Sequence, residues 1–296
     1  MKDYVAKNES ILNEWCKKFV EDKRGDKEYK GYDIKKYFAK DGIMNIGDRF
    51  TMDKNGTIWR EASGEENTKW NESPVRVLFL TKDENTDGNE AWDVRRETFY
   101  AKRYGLPPQN NTISGSFFYQ NEACLLYGLL NTTPDKMVLF NDDDFTWGNA
   151  LRFSDSNIFA RINCKKEVGY STISNNNLQE AIVKYYDYLK EQILTLDADI
   201  LVCCGSQNGE NVILNTVKKI YDEEFKEEFK YVDCIDGNGT GLHYNGKKLA
   251  IDAYHLAYSY NGYLEARYNE TVGMYYEFLK YLKRTMGIDF SASHRL

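Results

Sequence analysis

Long apolar runs are missing from this sequence. No stretch approaches the ~18 apolar residues that a membrane span needs, and the opening MKDYVAKNESILNEW has no apolar h-region. A membrane protein is not expected; a cytoplasmic one is. The 6 cysteines (Cys16, Cys124, Cys164, Cys203, Cys204, Cys234) contain no C-x-x-C, which argues against a zinc site or an iron–sulfur cluster and for reduced thiols. Histidine is scarce, with 3 in the chain. Internal repeats and low-complexity linkers are absent, and so is a G-x-G-x-x-G phosphate loop. The nearest approach, GSQNGEN, has only Gly205 and Gly209 and no lysine, so a structural tight turn is the favoured reading.

What is present is the composition of a soluble globular protein: 42% hydrophobic and 29% charged over 296 residues, with 23 tyrosines supplying most of a 15% aromatic share. Tyrosine buries a ring and keeps a polar tip, which suits the wall of a groove. A net charge of -7 argues mildly against a general nucleic-acid binder. Much of the acid is concentrated in YDEEFKEEFK (Tyr221 to Lys230), so the cations elsewhere remain able to line a groove.

Periodicity alternates between helix and strand. ESILNEWCKKFVEDKR is amphipathic, and DRFTMDKNGTIWREAS reads as a hairpin turning at Asn55-Gly56. Four short apolar strands follow: Val75–Leu80, Asn157–Asn163, ADILVCCG and KKLAIDAYH. Cys203 and Cys204 are adjacent in the third and point to opposite faces. EACLLYGLLN, NNNLQEAIVKYYDYLKEQILTLD, ENVILNTVKKIYDEEFKEEF and ETVGMYYEFLKYLKRTMG read as helices, the second as one continuous helix. Apolar strands separated by amphipathic helices pair in parallel with helices on both faces. The expected fold is a three-layer α/β/α sandwich with a mainly parallel four-stranded central sheet. Residues 1–74 form an N-terminal helical and hairpin extension and residues 75–296 the α/β domain.

In such sheets ligands bind beyond the carboxyl ends of the strands. The residues there are Lys82-Asp83-Glu84-Asn85, Asn163-Cys164-Lys165-Lys166, Gly205-Ser206-Gln207-Asn208 and His255-Leu256-Ala257-Tyr258-Ser259. An acid, an amide, basic runs and one of the rare histidines share a rim. In that order, VLFLTKDEN, FARINCKKEVG, LKEQILTLDADILVCCG and LAIDAYHLAYS, the set resembles the uracil-DNA glycosylase superfamily over roughly Val75 to Ser259. The chain departs from the family pattern: Glu84 stands where a proline usually follows the acid, Leu256 and Ala257 where proline and serine follow the histidine, and the cluster-binding cysteines of some members are absent.

The resemblance implies hydrolysis of an N-glycosidic bond, at a flipped-out uracil or modified pyrimidine, by acid-assisted water attack. Asp83, with Glu84 as competitor one residue on, is the expected acid, and His255 the donor to the departing base. Asn163 is expected to read the base edge, with Phe145, Trp147 and Phe153 as candidates for the pocket wall. Lys82, Arg95, Arg96, Lys165 and Lys166 are the expected phosphate contacts. The expected partner is single- or double-stranded DNA, with no metal, no cofactor, no membrane and a monomeric chain. Two rivals stand beside this reading: a protein of the same fold that binds nucleic acid or a nucleotide without chemistry, and a hydrolase or transferase of free nucleosides or nucleotides.

Overall fold

A computed structural model describes residues 1–54, 56–86, 88–99, 117–139, 147–170, 172–207, 209–232, 241–257 and 263–290. The helices are α1 (Tyr4–Lys23), α2 (Glu66–Glu72), α3 (Phe117–Asn131), α4 (Trp147–Ser154), α5 (Asn175–Lys184), α6 (Tyr186–Leu196), α7 (Val212–Phe225) and α8 (Tyr263–Tyr281). The strands are β1 (Gly42–Ile43), β2 (Phe50–Met52), β3 (Ile58–Arg60), β4 (Val77–Thr81), β5 (Ala160–Asn163), β6 (Ile200–Ser206), β7 (Lys230–Tyr231), β8 (Leu242–Tyr244) and β9 (Leu249–Tyr254).

Among the described residues seven strands form one mixed sheet in the order β1-β5-β4-β6-β9-β8-β7, and β2 pairs with β3 in a separate hairpin. The four apolar strands expected from the sequence are its centre. β4 lies parallel to both β5 and β6, and β6 parallel to β9. The expected count of four strands is corrected to seven by antiparallel additions at both edges, β1 on β5 and β8 and β7 beyond β9. These strands are two or three residues long, too short for a period-2 pattern to register.

Every residue of β4, β5 and β6 is buried, as a sheet covered on both faces requires. Val77, Phe79, Val202 and Cys204 enter one apolar cluster with Leu126, Ala150 and Phe278 from α3, α4 and α8. Leu78, Leu80, Leu201 and Cys203 enter the other, with Trp15, Leu189 and Val217 from α1, α6 and α7. The two adjacent cysteines thus face opposite layers, as the alternation predicts.

The segment before β4 belongs to this architecture. Trp15 and Phe19 of α1 lie in the second cluster, and β1 extends the sheet. The hairpin forms where the sequence places it, with Gly56 at φ +81. The long helix expected at 175–197 is two helices. Tyr185 leaves helical dihedrals (φ -120, ψ 28) and seats its ring 5.9 Å from Trp15. α7 ends at Phe225, capped by Lys226 in the left-handed region, so the acidic helix face is shorter than its sequence suggests.

Candidate functional site at the carboxyl edge of the sheet

The loops leaving β4 and β5 are tied to each other and to the N-terminal segment by backbone hydrogen bonds. Ala39 N–H donates to Lys166 O (2.8 Å) and Val168 N–H to Tyr37 O (3.2 Å). Gly169 N–H donates to Glu84 O (2.8 Å), and Thr86 N–H returns to Gly169 O (3.2 Å). This ladder fixes the height at which Asp83 meets the rim.

Asp83 Oδ2 lies 3.4 Å from Lys165 Nζ, which also donates to the carbonyls of Glu167 (2.8 Å) and Val168 (3.3 Å). Burial raises the Asp83 carboxyl above its ordinary pKa, while Lys165 and then Lys82 pull it back. Asp83, Lys165 and Gly169 line a cleft of about 530 Å³ with Tyr29, Tyr37 and Tyr170, a size within the range of small-ligand sites.

Lys82 points elsewhere. It is buried, and its Nζ donates to Gln207 Oε1 (3.1 Å) at the end of β6. Burial lowers its pKa and Asp83 raises it. The same ammonium acts on His255, whose imidazole is held at about 4 by burial first and by Lys82 second. His255 is therefore neutral at physiological pH. Its Nδ1 accepts from Ala257 N–H (3.3 Å), which puts the ring proton on Nε2. The ring centroid is 6.0 Å from that of Phe118.

Glu84 is turned inward. Its Oε1 accepts from Trp92 N–H (3.1 Å), while Oε2 is buried without a partner among the described residues. Burial carries its pKa up to about 9, the Trp92 hydrogen bond opposing this and Glu97 and Asp41 adding to it. Asn163 is also buried. Its Oδ1 accepts from the Thr81 hydroxyl (2.6 Å), its backbone N–H donates to Asp41 Oδ2 (2.8 Å), and Nδ2 has no partner among the described residues.

The five cations expected on phosphates are engaged within the protein. Lys166 is buried over the Trp15 ring, with Nζ on Asp41 Oδ2 (2.5 Å) and Asn163 O (2.9 Å). Arg95 is clamped between Asp93 (2.6 Å) and Glu9 (2.8 Å), and Arg96 pairs with Glu61. Lys82 and Lys165 hold the partners given above. Phe145 lies outside the described residues. Trp147 opens α4, with only its backbone described. Phe153 packs edge-on against Tyr127 (5.0 Å) beside the core.

Sequence reasoning missed the buried charge network behind the rim. Arg161 Nε donates to Glu122 Oε1 (2.8 Å) and its Nη1 to Glu97 Oε2 (2.5 Å). Tyr119 and Trp92 also donate to Glu97 (2.8 and 2.7 Å). Arg161 sits in the middle of an apolar strand, and that placement is its one sequence signal. Among the described residues no cluster of His, Cys, Asp and Glu is arranged to hold a metal ion, and no helix is long and apolar enough to cross a membrane. Comparison with protein-family models, with curated proteins and with solved structures returns no match.

Proposed function

We propose that this chain is a glycosylase-type hydrolase that cleaves the N-glycosidic bond of a flipped-out uracil or modified pyrimidine and leaves an abasic site. The observation that carries the reading is the placement of Asp83 after β4 and a neutral His255 after β9 on one edge of the parallel strands, with Lys82 acting on both. In the reaction the C1′–N bond breaks with its electron pair leaving on the base, and water adds to C1′. Asp83 accepts the proton lost by that water and faces the positive charge developing on the sugar. His255 Nε2–H donates a hydrogen bond to the base oxygen where negative charge grows, a contact of the kind worth ~2.7–4 kcal/mol of barrier.

The burial of Glu84 supports Asp83 as the acting acid. A carboxyl with a pKa of about 9 is neutral near pH 7 and offers no counter-charge to the sugar. Asn163 Nδ2 is a donor without a partner among the described residues, which suits a carbonyl oxygen on the base.

One observation favours a second reading, a binding protein without chemistry: Lys165 already partners Asp83. A base-excision assay separates the two. Labelled oligonucleotides carrying uracil, hypoxanthine, or hydroxymethylated or glucosylated cytosine are incubated with the protein and treated with alkali. Cleavage that disappears in Asp83→Asn but persists in Glu84→Gln supports the hydrolase. Tight binding with no cleavage on any of these bases supports the second reading.

A further inference from the structure

Between α1 and β1 the chain reads KRGDKEYKGYDIKKYFAK, from Lys23 to Lys40. It holds seven cationic and three acidic side chains in a protein of net charge -7. Two of those acids are spent on local structure. Asp26 Oδ1 accepts from Glu28 N–H (3.2 Å) and Asp33 Oδ1 from Lys35 N–H (3.3 Å), each capping a short 3-10 turn. Gly25, at φ +90, precedes the first of them, and Gly31, at φ +87, lies between the two.

Lys23, Lys36 and Lys40 pair with Glu167, Glu90 and Glu9. Arg24, Lys27, Lys30 and Lys35 are exposed and form no ion pair among the described residues. They are cations left without an ion pair among the described residues, in a part of the sequence that motif order did not single out.

The same segment carries Tyr29, Tyr32 and Tyr37, which line the Asp83 cleft together with Tyr170 of the β5 loop. Tyr32 stands edge-on to Tyr37 (6.0 Å) and is 64% exposed; Tyr170 is 69% exposed. Two large rings left in water at the mouth of a cleft, with unpaired cations alongside, match what an unpaired strand needs: π-faces for its bases and positive charge for its backbone. A duplex keeps its base faces stacked and cannot use the rings.

We infer that residues 23–40 and Tyr170 form a binding track for single-stranded nucleic acid. The track leads into the Asp83 cleft, with Arg24, Lys27, Lys30 and Lys35 on phosphates and Tyr32 and Tyr170 stacking bases. The inference rests on the proposed function only for the strand's destination, Asp83; the binding itself requires no chemistry.

The test is fluorescence anisotropy with a labelled oligothymidine of about 20 nucleotides, measured from about 50 to about 200 mM salt. Four phosphate contacts on a single strand give a log–log slope near -3, so affinity falls about 50-fold over that range. Lys27→Gln/Lys30→Gln/Lys35→Gln reduces that fall to about threefold. Tyr32→Ala and Tyr170→Ala each weaken binding about tenfold at fixed salt and leave the slope unchanged. All of these side chains are exposed, so circular dichroism matching the wild type confirms the fold of each variant. Salt dependence unchanged in the lysine variant overturns the inference. So does a duplex of equal length that binds as tightly, or binding to phosphatidylserine vesicles but not to the oligonucleotide. Single-strand binding with these dependences but no base excision upholds the track and rejects the glycosylase reading alone.

Discussion

Gly169 and Asp83 lie in such close contact that a Cβ on Gly169 would overlap Asp83 Oδ2. Glycine is needed here for space. Its N–H and C=O are both held in the ladder that joins the β4 and β5 loops, so the backbone cannot retreat. Gly169→Ala therefore displaces the carboxylate from Lys165. We expect a stability loss on the order of 1–3 kcal/mol in urea unfolding, together with at least a tenfold fall in excision rate. An alanine that leaves both unchanged would show that the Asp83 position is not fixed by this contact.

Glu84 gives a pH signature. With a folded pKa of about 9 against 4.5 in the unfolded chain, the native state holds a proton that the unfolded state releases. Stability from this group is complete below about pH 4.5 and is lost as pH rises toward 9, with a limiting slope of roughly 1.4 kcal/mol per pH unit. Glu84→Gln removes that slope. Melting temperatures compared between pH 5 and 8 should show the variant gaining on the wild type as pH rises, and parallel curves would count against a buried neutral carboxyl.

For His255 the sign is opposite. Its pKa falls from 6.5 to about 4 on folding, so the neutral ring is favoured and stability declines as pH drops from 6.5 toward 4. Excision should stay flat on this limb down to about pH 5 and fall below it as the imidazolium forms. His255→Ala is expected to cost about 100- to 1,000-fold in rate at neutral pH, the usual effect of losing one preorganised donor. His255→Gln should recover part of that rate and keep only the acid limb that protonation of Asp83 imposes.

Behind the rim, Arg161 offsets two buried carboxylates, Glu97 and Glu122. Arg161→Met strands both, at an expected cost of about 3–5 kcal/mol in chemical denaturation. Replacing Arg161, Glu97 and Glu122 together by apolar residues of similar volume should recover much of the loss. If the single variant is as stable as the wild type, the two Arg161 ion pairs add nothing net to stability.

The four central strands were legible because each is a continuous apolar run bounded by polar residues, and their ends located the rim. What sequence order does not carry is which charge meets which. Lys165 and Lys166 are neighbours, yet one reaches the cleft and the other is buried on Asp41, far back in the chain. Asp83 and Glu84 diverge in the same way, one to the rim and one inward. Neighbouring side chains after a strand point in opposite directions, and only the packing of α1 and β1 against β5 decides which direction is solvent. Arg24, Lys27, Lys30 and Lys35 escaped notice because they precede every strand of the core.

The stacking of Trp15 on Tyr188, 5.9 Å between centroids, has a consequence for how the chain is made. α1 leaves the ribosome long before α6, against which it packs. At 5–20 residues per second the wait is about 10 to 35 s. For that interval the apolar stripe of Leu12, Trp15 and Phe19 has no partner from α6. A nascent chain stalled before residue 186 should be a strong client for trigger-factor-like holdases, and one stalled after α6 a weak one.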